Sequence, residues 1–391
     1  PSNRPFKLLN IFNFGLLFYL YPFYWTFYFV FLAVLAFIFF FKDRLLSKRF
    51  LTVLAAGLAI GSVYLYLTFL AGRLPEYQET LTRLQLIFSH SPSEIKSIAL
   101  ATTALFLIGI LHRLNKIKIG KEILFFIIGF ISILMVTNQN IITGHKFEFG
   151  HYRMQAVFFA AFAIYYLLNQ VKLLNFKIFR SAVVLGIVIF SVANTSSYLQ
   201  RVLAVSEQDI YRQKYAAVFD WLNENTPKDS VVYANEEISG MIPVYTSNNV
   251  FFSRYANLFI ISDAEVLERF ILNNYFEKFD RQFAMENERS IWGVRYVDRY
   301  GDAVRANKWR RPLGLGLKDD TRLPEEEINR VLALVSRVQT GSFEGQLVDY
   351  EVDYFVWDRE KDANWKMEGS GLKSVYEFEN IRIFIKDDLK I

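Results

Sequence analysis

The sequence predicts a mainly α membrane bundle of about six transmembrane helices, followed by an extracytoplasmic α/β domain with a small sheet. Three observations predict this. Apolar residues make up 53% of the 391 positions and aromatics 17%, with 39 Phe and 22 Tyr, against 21% charged. The charges are unevenly divided: residues 1–199 hold 18 Lys and Arg against 6 Asp and Glu, whereas 200–391 hold 26 against 33. Long apolar runs occupy only the first part, and every second connection between them is basic. A single soluble globule and a disordered chain are both excluded by this division. The net charge of +5 arises in the apolar part, so no nucleic-acid partner is expected. The expected domains are 1–199, transmembrane, and 200–391, extracytoplasmic. There is no Cys, which excludes disulfides, zinc thiolates and a thiolate nucleophile. The chain opens at Pro1, and we expect it to be the C-terminal portion of a longer protein.

A span needs about 20 mostly apolar residues to cross a hydrocarbon core of about 30 Å. The first lies within Ile11–Phe41, centred on Tyr24–Phe41, and Ile11–Tyr21 before Pro22 reads as interfacial or re-entrant. The others are Phe50–Leu70, Ser97–Leu111, Ile123–Val136, Ala156–Leu168 and Ser181–Ala193. Lys42, Arg44, Lys48 and Arg49 join spans one and two, and Arg113, Lys116, Lys118 and Lys121 join three and four. Lys172, Lys177 and Arg180 join five and six. An excess of Lys and Arg marks cytoplasmic loops, which puts these three inside. Pro1–Asn10, Ala71–Lys96, Thr137–Gln155 and everything after span six then face outside. Tyr21, Tyr24, Trp25 and Tyr28 read as an aromatic belt at headgroup level or, more sharply, as the wall of a lipid-carrier groove.

From about Tyr198 the pattern becomes that of a small α/β layer. Asp209–Asn225 has amphipathic helical spacing, Val231–Tyr233 follows as a short buried strand, and Ile238–Tyr245 is a short helix. Val250–Phe252 is a second strand, and Asp263–Tyr275 a helix with Asp263 as its N-cap. Arg299–Lys318, rich in Arg and Gly, reads as a long loop. Leu323–Val338 is a helix with Glu325, Glu326 and Glu327 in its first turn. Tyr354–Trp357 is a strand, and Val375–Phe378 with Ile381–Lys386 form a hairpin through Glu379–Asn380.

Candidate chemistry gathers in the two outward connections, which hold His90, His145 and His151; the fourth His, His112, is in a basic connection. Their candidate substrate-binding residues are Arg83, His90, His145, Glu148, His151 and Arg153. Arg83 and Arg153 are the natural phosphate clamps, because a guanidinium grips phosphate in a bidentate way, or else anchors at headgroup level. His145 and His151 are six apart with glycines between and beside them, which is not the spacing of a helical metal pair, so no metal ligands are assigned. Asp349, Asp353 and Asp358 flank a strand and read as its solvated edge or a carboxylate pair. Leu313–Lys318 lacks the spacing of a phosphate loop. Residues 200–391 contain no His, which excludes His-based acid–base catalysis from within them. The outward connections contain no Asp, so no catalytic acid is assigned.

Thr137–Asn138–Gln139–Asn140–Ile141–Ile142–Thr143–Gly144–His145, continued by Phe149–Gly150–His151–Tyr152, resembles an outer loop of bacterial GT-C-type polytopic membrane glycosyltransferases. Phe219–Asp220–Trp221–Leu222–Asn223–Glu224–Asn225–Thr226–Pro227 with Ser230–Val231–Val232–Tyr233 is similar to the opening of their external domain. Val352–Asp353–Tyr354–Phe355–Val356 and Tyr376–Phe384 fit it too, as does Pro22–Phe23–Tyr24–Trp25. The resemblance implies transfer of a sugar from a polyprenyl-phosphate carrier to an acceptor on the outer face of the cytoplasmic membrane. It implies partners of two kinds, the lipid-linked sugar donor and membrane lipid. It leaves the acceptor open, names no cofactor beyond an optional divalent metal, and places the family's catalytic acid upstream of Pro1. A non-catalytic envelope-assembly protein whose external domain binds a partner is the alternative. A transporter is disfavoured because the spans carry almost no ionisable groups.

Overall fold

The computed structural model describes residues 4–84, 86, 90, 94–145, 149–171, 177–368 and 370–386. It divides into two compact units: Pro1–Arg73 with Leu86–Ser197, and Leu74–Gln85 with Tyr198–Ile391. The short segment 74–85 thus folds with the C-terminal part, although the sequence divides the chain near 199.

The first unit is helical: α1 (Arg4–Leu20), α2 (Pro22–Lys42), α3 (Arg44–Ala71), α5 (Ile95–Arg113), α6 (Lys121–Thr137), α7 (Asn140–Thr143), α8 (Arg153–Gln170) and the start of α9 (Lys177–Arg212), with α4 (Pro75–Arg83) belonging to the second unit. Five helical stretches are long and apolar enough to cross a membrane: Pro22–Lys42, Arg44–Ala71, Ile95–Arg113, Lys121–Thr143 and Arg180–Ala204. They cover five of the six expected spans. The span expected at Ala156–Leu168 lies in α8, whose ends carry Arg153, Gln155, Asn169 and Gln170. Pro22 opens α2 at a position where its missing N–H costs nothing. Asp43 ends α2 and caps α3, accepting from the Leu46 N–H at 3.0 Å. Ser47 Oγ then donates to the Ala36 carbonyl at 2.7 Å and closes the hairpin.

Helix α1 is part of this packing. The face Gly57–Leu58–Ala59–Ile60–Gly61 of α3 receives Phe14 and Phe18 from α1. A Cβ at Gly61 would stand 2.5 Å from Phe18 Cγ, and one at Gly57 would collide with the Phe14 ring. Small residues four apart let two helices approach closely where hydrophobicity supplies little drive. The pairs 14–57 and 18–61 make α1 parallel to α3, so the Lys7 end of α1 lies beside the Leu46–Arg49 end of α3. This corrects the expectation that 4–10 and the basic connection 42–49 fall on opposite sides. Of the aromatic cluster, Trp25 stacks on Phe18 with centroids 4.5 Å apart, and Tyr28 packs on Phe14 at 5.5 Å. Tyr24 remains half exposed.

The second unit is built on a mixed five-stranded sheet in the order β2-β1-β3-β5-β4. Strands β1 (Val231–Tyr233), β2 (Asn249–Val250) and β3 (Tyr354–Asp358) are parallel; β5 (Ile381–Lys386) runs antiparallel to β3, and β4 (Leu372–Phe378) antiparallel to β5. Val232 and Val356 face a core with α10 (Ala216–Asn225) and α11 (Glu236–Tyr245). Tyr233 and Phe355 face the other, with α12 (Asp263–Asn273), α14 (Glu288–Trp292) and α16 (Glu325–Val338). The remaining helices are α13 (Arg281–Glu286), α15 (Arg295–Arg310) and α17 (Phe343–Gln346).

Three local expectations are corrected. Most of Arg299–Lys318 is helical in α15, which buries Tyr296, Ala303 and Asn307 along one face and leaves Asp298, Arg299, Arg305 and Lys308 in solvent. Ser262, not Asp263, caps α12, accepting from the Glu265 N–H at 3.1 Å. Asp209–Asn225 is not one helix: α9 runs to Arg212, and a 3-10 turn at Gln213–Tyr215 precedes α10.

Candidate functional site

Six side chains carried the sequence-based expectation, and the structure does not gather them. Arg83 lies in the second unit and is 1% exposed. One of its Nη atoms donates to Asp263 Oδ1 at 2.5 Å; the other donates to Thr80 Oγ1 and to the Phe259 and Ile261 carbonyls at 2.8–3.1 Å. The same segment is tied down by Val294 N–H donating to the Arg83 carbonyl at 2.9 Å. Gly293 permits this with φ +65°, since a Cβ there would stand 2.6 Å from that oxygen. Arg83 is therefore a buried strut, and its reading as a phosphate clamp or headgroup anchor is corrected. Charge alone reveals nothing of a partner 180 residues away.

The others lie in the first unit. His90 Nδ1 is 3.0 Å from the Ile141 carbonyl. The His145 carbonyl accepts from Gln139 Nε2 at 2.9 Å. His151 stacks on Phe23 at 4.5 Å and hydrogen-bonds Tyr21. Beside it Tyr152 and Thr26 share a 2.7 Å hydrogen bond. Arg153 pairs with Glu94 at 3.2 Å and is half exposed. Glu148 lies outside the described residues. His151, Tyr152 and Arg153 thus dock 149–153 onto neighbouring segments. Among the described residues no three His, Asp or Glu side chains converge in a metal-binding group.

Sequence reasoning missed a polar cleft of about 630 Å³ in the second unit. It opens at the carboxyl ends of the three parallel strands: Asn235 lies two residues after β1, Ser253 three after β2 and Asp362 four after β3. Strand β1 connects through α11 to β2 on one side, whereas β3 connects to the β4–β5 hairpin on the other. The crevice between adjacent strands whose connections diverge is the usual ligand position in open α/β sheets.

Backbone hydrogen bonding fixes these side chains. Asn235 caps α11, its Oδ1 accepting from the Ile238 N–H at 2.9 Å, while its Nδ2 donates to Asp362 Oδ2 at 2.6 Å. Burial, with the Asp358 carboxylate nearby, pushes the Asp362 carboxyl up to about 6. Asp358 is fully buried and is the anchor beneath: Tyr215 OH donates to its Oδ2 at 2.9 Å, and Lys214 Nζ lies at 2.9 Å. Those two partners outweigh burial and hold Asp358 below the usual carboxylate range. The solvated-edge reading of Asp358 is thereby corrected. Asp353 also turns inward, accepting from the Val231 N–H at 2.7 Å.

The rim charges are mostly consumed internally. Glu237 pairs with Arg212 at 3.2 Å and with Lys361, and Arg254 lies 3.5 Å from Glu236. Burial pushes Glu236 up despite Arg254. What stays open is acceptor-rich. Glu277 has no cationic partner among the described residues. Asn273 is 3% exposed, and its Oδ1 has no hydrogen-bond partner among them. Tyr255, Phe283 and Trp365 add ring surface. Such a set suits a neutral, hydroxyl-rich ligand: hydroxyls donate to carboxylates and amide oxygens, and C–H faces pack on rings.

The chain matches no family model, no curated protein and no solved structure.

Proposed function

We propose that this chain is a multi-pass membrane protein of the glycosyltransferase kind that handles a polyprenyl-phosphate-linked sugar on the outer face of the cytoplasmic membrane. In this reading its second unit receives a saccharide in the cleft at the carboxyl ends of β1, β2 and β3. One observation supports the reading most: beside aromatic rings the cleft offers Glu277 and, among the described residues, the Asp362 carboxyl that only Asn235 engages and the Asn273 Oδ1 that has no partner. A phosphate would find its cations already taken, whereas sugar hydroxyls find acceptors.

Connectivity supports the membrane part. Segment 74–85 and residues 198–391 belong to one compact unit and share one side of a membrane, so an even number of crossings separates them. Four helices of sufficient length lie between: α5, α6, α8 and α9. In this reading helix α8, 18 residues and ~27 Å long, supplies the fourth crossing in spite of its polar ends, although it is not one of the five stretches that are long and apolar enough by themselves.

The test is saccharide binding by the full chain in detergent, read by saturation-transfer NMR over a panel of neutral sugars. Wild type should bind, and Asn273→Leu should lose binding while remaining folded. A folded wild type that binds no saccharide would overturn the reading. The envelope-assembly alternative would then stand, and it already draws support from Arg83 and Arg153 both being ion-paired.

A further inference from the structure

We infer that the groove formed by α1, α2, α3 and α6 of the first unit holds an anionic membrane phospholipid. The inference is independent of the saccharide cleft and of any transferase activity.

The groove has a volume of about 810 Å³. Its walls are apolar, with Phe31, Leu35 and Phe39 along α2. Three cations line it, Lys7, Arg49 and Lys121, and no carboxylate does. They come from the first two turns of α1, α3 and α6. The side chains of the three make no hydrogen bond or ion pair to another described residue. Unused cations at the mouth of an apolar groove ask for a ligand with an anionic head and a hydrocarbon body. The α2 wall from Tyr28 to Phe39 runs ~16 Å along the helix, close to the ~15 Å hydrocarbon depth of one leaflet. One acyl chain of a phospholipid fills that length with its phosphate among the cations. Helix N-termini add their partial positive charge at the same end.

The location agrees with the charge pattern of the chain. Because α1 is parallel to α3, Lys7 joins the end of the unit that carries the basic connections 42–49 and 113–121. Basic pockets between helices at that end are where anionic headgroups are drawn. Each Lys or Arg near an anionic headgroup strengthens binding about fivefold, so the three together are worth about a hundredfold.

The experiment is native mass spectrometry of the full chain in detergent, titrated with phosphatidylglycerol or with phosphatidylcholine of the same acyl chains. Phosphatidylglycerol should be retained in preference, and Lys7→Gln/Arg49→Gln/Lys121→Gln should weaken its retention about a hundredfold. Lys116→Gln/Lys118→Gln, outside the groove, should leave it unchanged. The charge-preserving Lys7→Arg/Arg49→Lys/Lys121→Arg should retain the lipid, which separates lost charge from misfolding. Equal retention of phosphatidylcholine, or unchanged retention in the Gln triple variant, would overturn the inference. So would displacement of phosphatidylglycerol by an equimolar polyprenyl phosphate, which would make the sugar carrier the occupant.

Discussion

Replacing Arg83 by Ala separates a strut from a ligand contact. The guanidinium makes one ion-paired bond, to Asp263 at 2.5 Å, and three bonds to neutral oxygens. After substitution Phe259 O keeps the Thr80 hydroxyl at 3.2 Å, and Asp263 keeps Arg295 at 3.5 Å. Ile261 O loses its Arg83 donor, and the space of a fully buried side chain is emptied. Losing the ion-paired bond costs ~2 kcal/mol, and the abandoned carbonyl with lost packing costs ~1–2 more. Relief of Arg83's own desolvation offsets part of this, so we expect ~3 kcal/mol. For a unit of about 200 residues that lowers Tm by roughly 6–12 °C. Circular dichroism melts of the full chain, followed at a wavelength sensitive to the sheet, read this out. Arg83→Met/Asp263→Leu should recover at least ~1 kcal/mol of the summed single effects, because apolar groups can replace a buried pair. A variant that melts with wild type yet fails to bind a lipid phosphate would refute the reasoning and return Arg83 to the role of a clamp.

Three further outcomes follow from named contacts. Asp362 titrates near 3.8 when unfolded and about 6 in the fold, so between these values the folded state holds the extra proton. Stability conferred by that proton is full below ~4 and is lost as pH rises through 6, by ~2–3 kcal/mol at most. Urea titrations from pH 4.5 to 7.5 should show this slope, and Asp362→Asn should flatten it. Gly57→Val drives a branched side chain into Phe14 and should cost ~2 kcal/mol or more of α1–α3 packing, seen as a lower melting temperature in detergent. Asn273→Leu removes a buried amide whose oxygen has no partner among the described residues, and should raise stability by ~1 kcal/mol while abolishing saccharide binding; urea unfolding supplies the first reading and NMR the second.

What the sequence disclosed depended on how local each signal was. The membrane-length helices are legible because an apolar run of sufficient length is a one-dimensional property. Strand β1, helix α16 and the β4–β5 hairpin are legible for the same reason, and Glu379 takes φ 52° at the turn expected there. Helix α15 was hidden because Arg and Gly suggest a loop, and its buried face is only Tyr296, Ala303 and Asn307. The α1–α3 contact had a signal that went unused, two glycines four apart within an apolar run. Asp358 could not be read, since Lys214 and Tyr215 lie more than 140 residues upstream. The cleft had a partial signal: Asn235, Ser253 and Asp362 each follow an apolar β run by a few residues. Only the strand order brings those three ends together.

The placement of buried polarity in the second unit bears on what the cleft is for. A core of this size would be at least as stable with apolar residues at 273, 358 and 362, since buried charges and orphaned amides oppose folding. Asp358 escapes this argument, because Lys214, Tyr215 and two backbone N–H groups satisfy it. Asp362 and Asn273 do not escape it: one has a side-chain partner only in Asn235, and the other's oxygen has none among the described residues. Both line one cleft at the point where the strand connections diverge. Unmet hydrogen-bonding capacity scattered over a fold marks imperfect packing. Other buried atoms of this unit that have no hydrogen-bond partner among the described residues, Asn257 Oδ1, Glu288 Oε1 and Arg83 Nε, lie outside the cleft. It is therefore the position of Asp362 and Asn273 at the carboxyl ends of parallel strands, and not their number, that supports the proposed saccharide site.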